Sequence, residues 1–526
     1  MIDGVCVSMN HVIHNFILME NVLTQGVRTA SGIVGRERPD MGFGWKMPEH
    51  LLEMTYAEIE EKNLEMKRAR KSGVPADVLK EKFLNYLKEE RGIKAVTVCF
   101  TDLEGKLHTL DYDKNFLVSS HDNLTFDGSS IRGFTAQSES DLRLKVDFSS
   151  IRFLPSDLFG AGKVLVFANV RDKDGSLYVS DFRGKLSDFC EELRVKRGIM
   201  VNIAPEIEGF LFKGVNAEQS FSEEKGFELA TMTGYFSSLP QDILRLFIDK
   251  FAEVQRALGF ENEKDHPEVA PAQFELNYRY TNALESADQI VIYKLVGKQV
   301  AMMMGLTACF LPKPIQNLNG SGMHTNMSFE KDGKNIFYNA EGKYSLSAEA
   351  HRAITGILYH ANDLCLIMNP SVNAYRRLDP AFEAPNEIKV SAVDRGSMVR
   401  IPIGNEKSSR IEVRTVAPDV NPYLCFYSIA SAALSGIDAA EDVLKEMESK
   451  AYGRVKELPG NIQTAIELFE KSKFMAEILG EDSRDKYVAL KKRAADRSPE
   501  ALGTKVKNGE ILFHHEVTNQ SLWASF

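Results

Sequence analysis

The stretch VNIAPEIEGFLF, residues 201–212, reads as a β-strand that carries two acids beside an apolar run. Side chains on a strand alternate between faces, so Glu206 and Glu208 share one face and Ile207 takes the other. Two carboxylates on one face repel each other unless a proton or a cation lies between them. Standing alone, the pair is the mark of a solvent-facing strand; a divalent metal held by oxygen ligands is the other solution. No glycine-rich turn and helix follow this strand.

Working outward, strands and helices mix without regular βα alternation, no GxGxxG opens a helix after a strand, and no GxxxxGK[ST] loop is present. A dinucleotide-binding fold and a P-loop fold are thereby disfavoured, and the fold class is α+β. Upstream, residues 56–91 read as helices broken at Ser72-Gly73-Val74-Pro75, and IKAVTVCFTDLEGKLHTLDY, residues 93–112, as a hairpin turning at Leu103-Glu104-Gly105. KVLVFANV adds a strand ending at an Asp-Gly turn, and a first domain closes near 172–182. Downstream, helices are expected over 182–197, 240–258, 284–308, 346–368, 424–449, 461–479 and 483–494, and strands over 201–212, 272–280, 323–330, 397–403 and 409–416.

The chain has 526 residues and a net charge of −10, so it holds more than one domain and is a poor match for a dedicated binder of nucleic acid or anionic membranes. Six dispersed cysteines, at 6, 99, 190, 309, 365 and 425, read as buried reduced thiols of a cytoplasmic protein. The N-terminus lacks the basic start of a signal peptide, and the apolar run near Val300–Pro312 is too short to span a bilayer and reads as a core helix.

Four further patterns carry chemistry. Prolines 267 and 271 exclude a continuous helix through EKDHPEVAPAQFE, residues 263–275, so Glu268 and Glu275 approach each other by a loop-to-strand path. In Arg410-Ile411-Glu412-Val413-Arg414 three charges share a strand face, the ordinary mark of an exposed salt-bridged strand. Asn319-Gly320-Ser321-Gly322-Met323-His324 lets backbone approach a ligand closely beside a histidine able to bind metal. Arg376, Arg377, Arg395, Arg400, Lys407, Arg410 and Arg414 supply cations suited to phosphate and carboxylate oxygens. Acids for metals plus arginines for transferring charge is the inventory of metal-assisted phosphoryl transfer to a small anion.

In order along the chain, FDGSSIRGF (126–134), SESD (138–141), PEIEGFLF (205–212), TGYF (233–236), EVAPAQFE (268–275), KPIQNLNGSGMH (313–324), NPSVNAYRRLDPAFEAP (369–385), DRGSMVRIP (394–402) and EKSSRIEVR (406–414) resemble glutamine synthetase of the bacterial and archaeal type. The resemblance spans roughly residues 80 to 430. It implies a small β-grasp-like domain over 81–180 and a larger catalytic domain over 181–526 with a curved antiparallel sheet and flanking helices; residues 1–80 stand as a partly helical extension.

The resemblance also implies ligation of ammonia to L-glutamate through γ-glutamyl phosphate, with ATP as substrate and two or three Mg²⁺ or Mn²⁺ ions per active site. One ion would take Glu208, Glu268 and Glu275, the other Glu206, His324 and Glu412. Glutamate would be held by Asn319, Gly320, Arg377 and Arg414, and ATP by Glu263, Asn326, Ser328, Arg395, Arg400, Lys407 and Arg410. Asp127 would take a proton from ammonium, with Glu383 on a mobile flap, Arg395 on the transferring phosphoryl group, and Ser130 and Tyr235 in the ammonium pocket. Asp127 would serve a neighbouring subunit in a homododecamer of two stacked hexameric rings. Three positions depart from the family: Gly209 stands where an aromatic is usual, Ala272 for a glycine and Asn326 for a histidine. A γ-glutamyl-amine ligase would lose the ammonium-site acids, and a silent structural relative would lose metal ligands; both sets are present.

Overall fold

The computed structural model describes residues 54–131, 133–135, 140–219, 227–237, 242–454 and 456–496. Readings made on residues 1–53, on Ser138 and Glu139, and on the tail from 497 lie outside the described residues. Two sheets organise the rest, with helices against them.

The smaller sheet is built from β1 (Ala95–Thr101), β2 (Leu107–Asp113), β3 (Leu124–Asp127), β4 (Asp141–Phe153) and β5 (Lys163–Arg171), in the order β2-β1-β5-β4-β3. The expected hairpin is present: β1 and β2 pair antiparallel, and the turn closes where Asp102 Oδ1 accepts from the Glu104 and Lys106 N–H groups and Gly105 takes φ +86°. β1 and β5 run parallel. β4 was not among the expected strands. Its in–out alternation runs from Asp141 to Ser150 and stops there, the Asp147 carboxylate accepts from the Ser149 N–H, and its register on β5 shifts between Asp147 and Arg152. A bulge there hides a 13-residue strand from a period-two reading.

Among the described residues the larger sheet has eleven strands. β6 (Ile199–Lys213) is its hub, pairing with β8 (Gln273–Tyr278), β9 (Thr281–Asn282), β10 (Leu306–Cys309) and β11 (Met323–Lys331). β7 (Asn262–Pro267) extends one side beyond β8, and β12 (Lys334–Asn335) pairs with β11. On the other side, β13 (Glu387–Ser391), β14 (Ser397–Arg400), β15 (Ile411–Val413) and β16 (Lys456–Glu457) continue in the order β16-β13-β14-β15-β11. β13 and β14 run parallel, which makes the sheet mixed.

Behind β6 lies the main apolar core, where Ile207, Phe247, Phe251, Phe274, Tyr293 and Phe310 are all buried. Burial of each such side chain contributes about 1.5–3 kcal/mol. The Tyr293 hydroxyl donates to the Ile207 carbonyl at 3.0 Å, tying helix Ala283–Met303 to the strand segment between the two acids. That helix starts at Asn282, whose side chain accepts from the Glu285 N–H. It ends short of the expected 308, because Gly305 adopts φ +72° and Leu306–Cys309 becomes β10. The apolar run from Val300 is therefore helix, turn and strand. It reads as continuous because both elements are buried.

The break at Ser72–Pro75 is present between helices Tyr56–Lys71 and Ala76–Glu89. These helices are built into the fold. Buried Asn63 donates to the carbonyls of Phe153 on β4 and Ala257 on helix Ile243–Ala257, at 2.9 and 2.7 Å, and accepts from the Phe153 N–H. Arg183, 1% exposed, joins the two sheets' surroundings: it forks onto both Asp288 oxygens at 2.8 Å, and also donates to Asp147 and to Asn169. The five described cysteines are all free; Cys190 is half-buried and the other four are buried. No helix among the described residues is long and apolar enough to cross a membrane.

Candidate active site

Strand register alone carries the charged residues across the large sheet. Arg400 on β14 is opposite Glu412 on β15, and Glu412 is opposite Asn326 on β11. Two residues earlier on β11, His324 faces Glu206 on β6. Two residues further along β6, Glu208 faces Glu275 on β8, which faces His266 on β7. Steps of two keep one face, and Arg400, Glu412, His324, Glu206, Glu208 and Glu275 look into one open cleft of about 240 Å³. Its walls include Glu206, Glu208, Glu268, Glu275, His324 and Glu412, all six of the expected metal ligands. Asn319, Gly320, Arg377, Arg414, Glu383, Arg395, Arg400 and Tyr235 line it as well.

Two groups place ligand atoms within 4.8 Å of one another: Glu206, His324 and Glu412, and His266, Glu268 and Glu275. In the first, His324 Nδ1 is 3.4 Å from Glu206 Oε2 and 3.8 Å from Glu412 Oε1. Burial acts to raise the Glu206 pKa, but the hydrogen bond and charge of His324, with the Asn326 amide and Arg410, prevail and hold it at about 2. Burial also opposes protonation of His324, as does Arg414, yet the surrounding carboxylates raise its pKa. In the second group, burial and then the charges of Glu208 and Glu275 push Glu268 up to about 8. Glu208 is likewise raised, chiefly by burial. Its Oε2 accepts the Gly322 N–H at 2.7 Å, and His266 rather than Glu208 completes the close set with Glu268 and Glu275. Five carboxylates crowded so that one keeps its proton near neutral pH fit a site for divalent cations.

The Arg410–Glu412–Arg414 strand is not the exposed salt bridge its pattern resembles. Glu412 is 1% exposed, with Oε1 accepting from Arg414 at 2.8 Å and Oε2 from Arg400 at 2.7 Å. Arg410 turns instead to Asn326, whose Oδ1 accepts from Arg410 Nε at 2.8 Å while its Nδ2 donates to Glu206 at 3.0 Å. The glycines of 319–324 admit a side chain of the protein itself. A Cβ on Gly320 would lie 2.9 Å from Arg377 Cγ, and one on Gly322 2.5 Å from Arg377 Nη2. Arg377 Nη2 donates to the Arg414 carbonyl, and burial lowers the Arg377 pKa to about 10. Arg377 Nη1 and Arg414 Nε are buried without hydrogen-bond partners in the described structure, so the cleft wall holds two unspent donors.

Some expected residues stay outside the cleft. Asn326, Ser328 and Arg410 do not line it, and Glu263 and Lys407 are exposed on β7 and in the turn before β15. Asp127 and Ser130 do not line it either. Asp127 is exposed at the end of β3, and donation from the Ser129 and Ser130 side chains and the Ser129 N–H keeps its carboxyl below the usual range. Glu383 stands at φ +63° after a 3₁₀ turn and accepts from Asn319 Nδ2 at 3.1 Å. Gln273 escaped the sequence reading; its amide donates to the Gly320 carbonyl at 3.0 Å and to Ser321 Oγ at 3.2 Å, fastening the glycine turn to β8. His266 escaped it too, although its place two residues before Glu268 was a period-two signal.

Comparison with known proteins agrees with this layout. Residues 92–173 match the family described as glutamine synthetase, beta-Grasp domain, and residues 180–505 match glutamine synthetase, catalytic domain. The chain is 37% identical to the glutamine synthetase of Methanosarcina mazei over 431 residues, covering 79% of this chain and 94% of the relative. It is 34% identical to that of Thermotoga maritima over 436 residues, covering 80% and 96%. Its fold is shared with the Plasmodium falciparum glutamine synthetase, at TM-score 0.72 and 23% identity over 82% of this chain and 97% of that one. A solved GmaS/ADP complex aligns with TM-score 0.68 and 25% identity over 81% and 97%. With both of its sheets inside matched domains and its acids and arginines gathered in one cleft, this chain belongs to the glutamine synthetase family.

Proposed function

We propose that the chain is a glutamate–ammonia ligase, joining ammonia to L-glutamate with hydrolysis of ATP. One observation carries the reading: the two acidic groups and Arg377, Arg395, Arg400 and Arg414 open onto the same cleft. A phosphoryl transfer needs both signs there, cations against the phosphate oxygens and fixed guanidinium groups for the charge that moves. Family members use ATP and a divalent metal, and the metal, when bound, neutralises phosphate charge as a Lewis acid. The unspent donors Arg377 Nη1 and Arg414 Nε support recognition of a carboxylate, the end of L-glutamate that does not react. Asn319 and Gly320 border the same wall. Arg395 and Arg400 would face the phosphoryl group. Glu263, Asn326, Ser328, Lys407 and Arg410 would meet or position the nucleotide.

Glu383, bound to Asn319 across the cleft mouth, would close over the acyl phosphate and, with Tyr235, receive ammonium. Asp127 would take its proton, with Ser130 beside it. Neither Asp127 nor Ser130 lines the cleft of its own chain, and this supports an assembly in which the acid comes from a neighbouring copy. Paired hexameric rings are the companion proposal. So are domain limits near residues 80 and 180, and a cytoplasmic setting, which the five free cysteines support. The test is phosphate release from ATP and L-glutamate with Mg²⁺ across a panel of amines. Ammonium is expected to be the best substrate; faster turnover with a monoamine or polyamine would instead favour a γ-glutamyl-amine ligase.

A further inference from the structure

His266 sits on β7 opposite Glu275, 6% exposed, with the edge of its ring contact supplied by Phe236 at 5.5 Å between centroids. Its Nδ1 lies 3.0 Å from the Pro267 carbonyl. A carbonyl oxygen only accepts, so Nδ1 carries the hydrogen, and in the neutral ring Nε2 is left with its lone pair. That Nε2 is buried and has no hydrogen-bond partner. Its nearest charged neighbour is Glu275 Oε1 at 3.5 Å, while Glu268 Oε1 lies 3.5 Å from Nδ1.

A lone pair aimed at a carboxylate is repulsive, and two agents can relieve it. A proton on Nε2 would make a short charge-assisted hydrogen bond, for which about 2.7–2.9 Å is usual. The observed spacing is longer. A shared cation suits it better, because ligand atoms held about 2.1 Å from one ion stand roughly 3.0–3.5 Å apart. The Nδ1–H bond to a backbone carbonyl is also the arrangement by which proteins orient a ligating histidine and raise its basicity.

We propose that His266 is a nitrogen ligand, through Nε2, of the divalent ion held by Glu268 and Glu275. This deepens the reading of the cleft as a metal site and rests on it. The ion then has a mixed nitrogen and oxygen donor set, as the ion of Glu206, His324 and Glu412 does, and the two sites become chemically alike. A mixed set favours softer ions such as Mn²⁺ over Mg²⁺ more than an all-carboxylate set would.

The experiment is a crystal structure of the full chain loaded with Mn²⁺ and phased on the metal's anomalous signal, together with calorimetric Mn²⁺ titration of the wild type and His266→Gln. The expected result is Mn²⁺ within about 2.4 Å of His266 Nε2, and about tenfold or greater loss of affinity at one of the sites in the variant. Mn²⁺ bound by the carboxylates with Nε2 hydrogen-bonded to Glu275 and out of reach would overturn the inference and leave the metal site standing. No Mn²⁺ at Glu268 and Glu275 would overturn both. The distance is read in the wild type, so the test holds even where the variant folds poorly.

Discussion

Gly209 on β6 and Phe274 on β8 are register partners, and a Cβ on Gly209 would come within 2.6 Å of the Phe274 ring and 3.0 Å of Phe310. With no side chain on Gly209, a ring from the neighbouring strand occupies the space. The next pair along is Glu208 with Glu275, so this packing sits directly behind two acids of the cleft. Gly209→Phe should destabilise the fold by about 1–3 kcal/mol through overpacking, and Phe274→Ala by about 3–5 kcal/mol through the cavity it leaves. The double variant should be more stable than the sum of the two losses requires. Urea unfolding of the four proteins measures that coupling, and simple additivity would mean the two sites do not share a volume.

Arg183 is the buried cation on which Asp147 of the small sheet and Asp288 of helix Ala283–Met303 converge, with the Tyr423 hydroxyl also donating to Asp288 at 2.7 Å. Removing the guanidinium leaves buried Asp288 and half-buried Asp147 without their cation. Arg183→Met is expected to cost about 3–5 kcal/mol, seen as a lower urea midpoint. Arg183→Lys should recover only part, since an ammonium cannot fork onto Asp288 and reach Asn169 together.

Without metal, stability should fall as pH rises from about 5 to about 8. Glu268 holds its proton in the folded state up to about 8, whereas an unfolded glutamate loses it near 4.3; the folded state therefore binds the extra proton in that window. His324, also raised, acts in the same direction above about 6.5. Glu206 acts oppositely, but its contribution is lost only between about 4.5 and 2 as pH falls. Thermal melts in a metal chelator should show the decline. Saturating Mg²⁺ should flatten or reverse it, because the cation binds the deprotonated acids. Parallel curves with and without Mg²⁺ would contradict the placement of cations among these acids.

An acid borrowed from a neighbour can be tested by mixing. Asp127→Ala and Glu412→Gln chains should each be inactive alone. Dissociated, mixed in equal amounts and reassembled, they should regain about one quarter of wild-type activity, because that fraction of sites draws both residues from intact copies. A mixture as inactive as its parts would mean that Asp127 and Glu412 serve the same chain.

Much of the cleft was legible in the linear order. Period-two spacing put Glu206 and Glu208 on one face, proline positions excluded a helix before Glu275, and the glycine turn before His324 announced close approach. Other features were misread because they depend on neighbours distant in sequence. The bulge hides β4, and the run from Val300 looks like one helix because buried strand and buried helix share the same composition. The 410–414 strand passed for a surface salt bridge until Arg400, from the adjacent strand, took the place expected of Arg410.

The sequence by itself determined the residue types, their faces on each strand and the family. Alternation and backbone sterics are local, and local rules act within a few residues. Tertiary structure decided which faces meet: that His266 joins Glu268 and Glu275, that Asn326 bridges Glu206 and Arg410, and that Asp127 lies away from its own chain's cleft. Strand register across β7, β8, β6, β11, β15 and β14 sets those meetings. A shift of one residue in any pairing would turn its side chains to the opposite face, so the site exists only as a property of the assembled sheet.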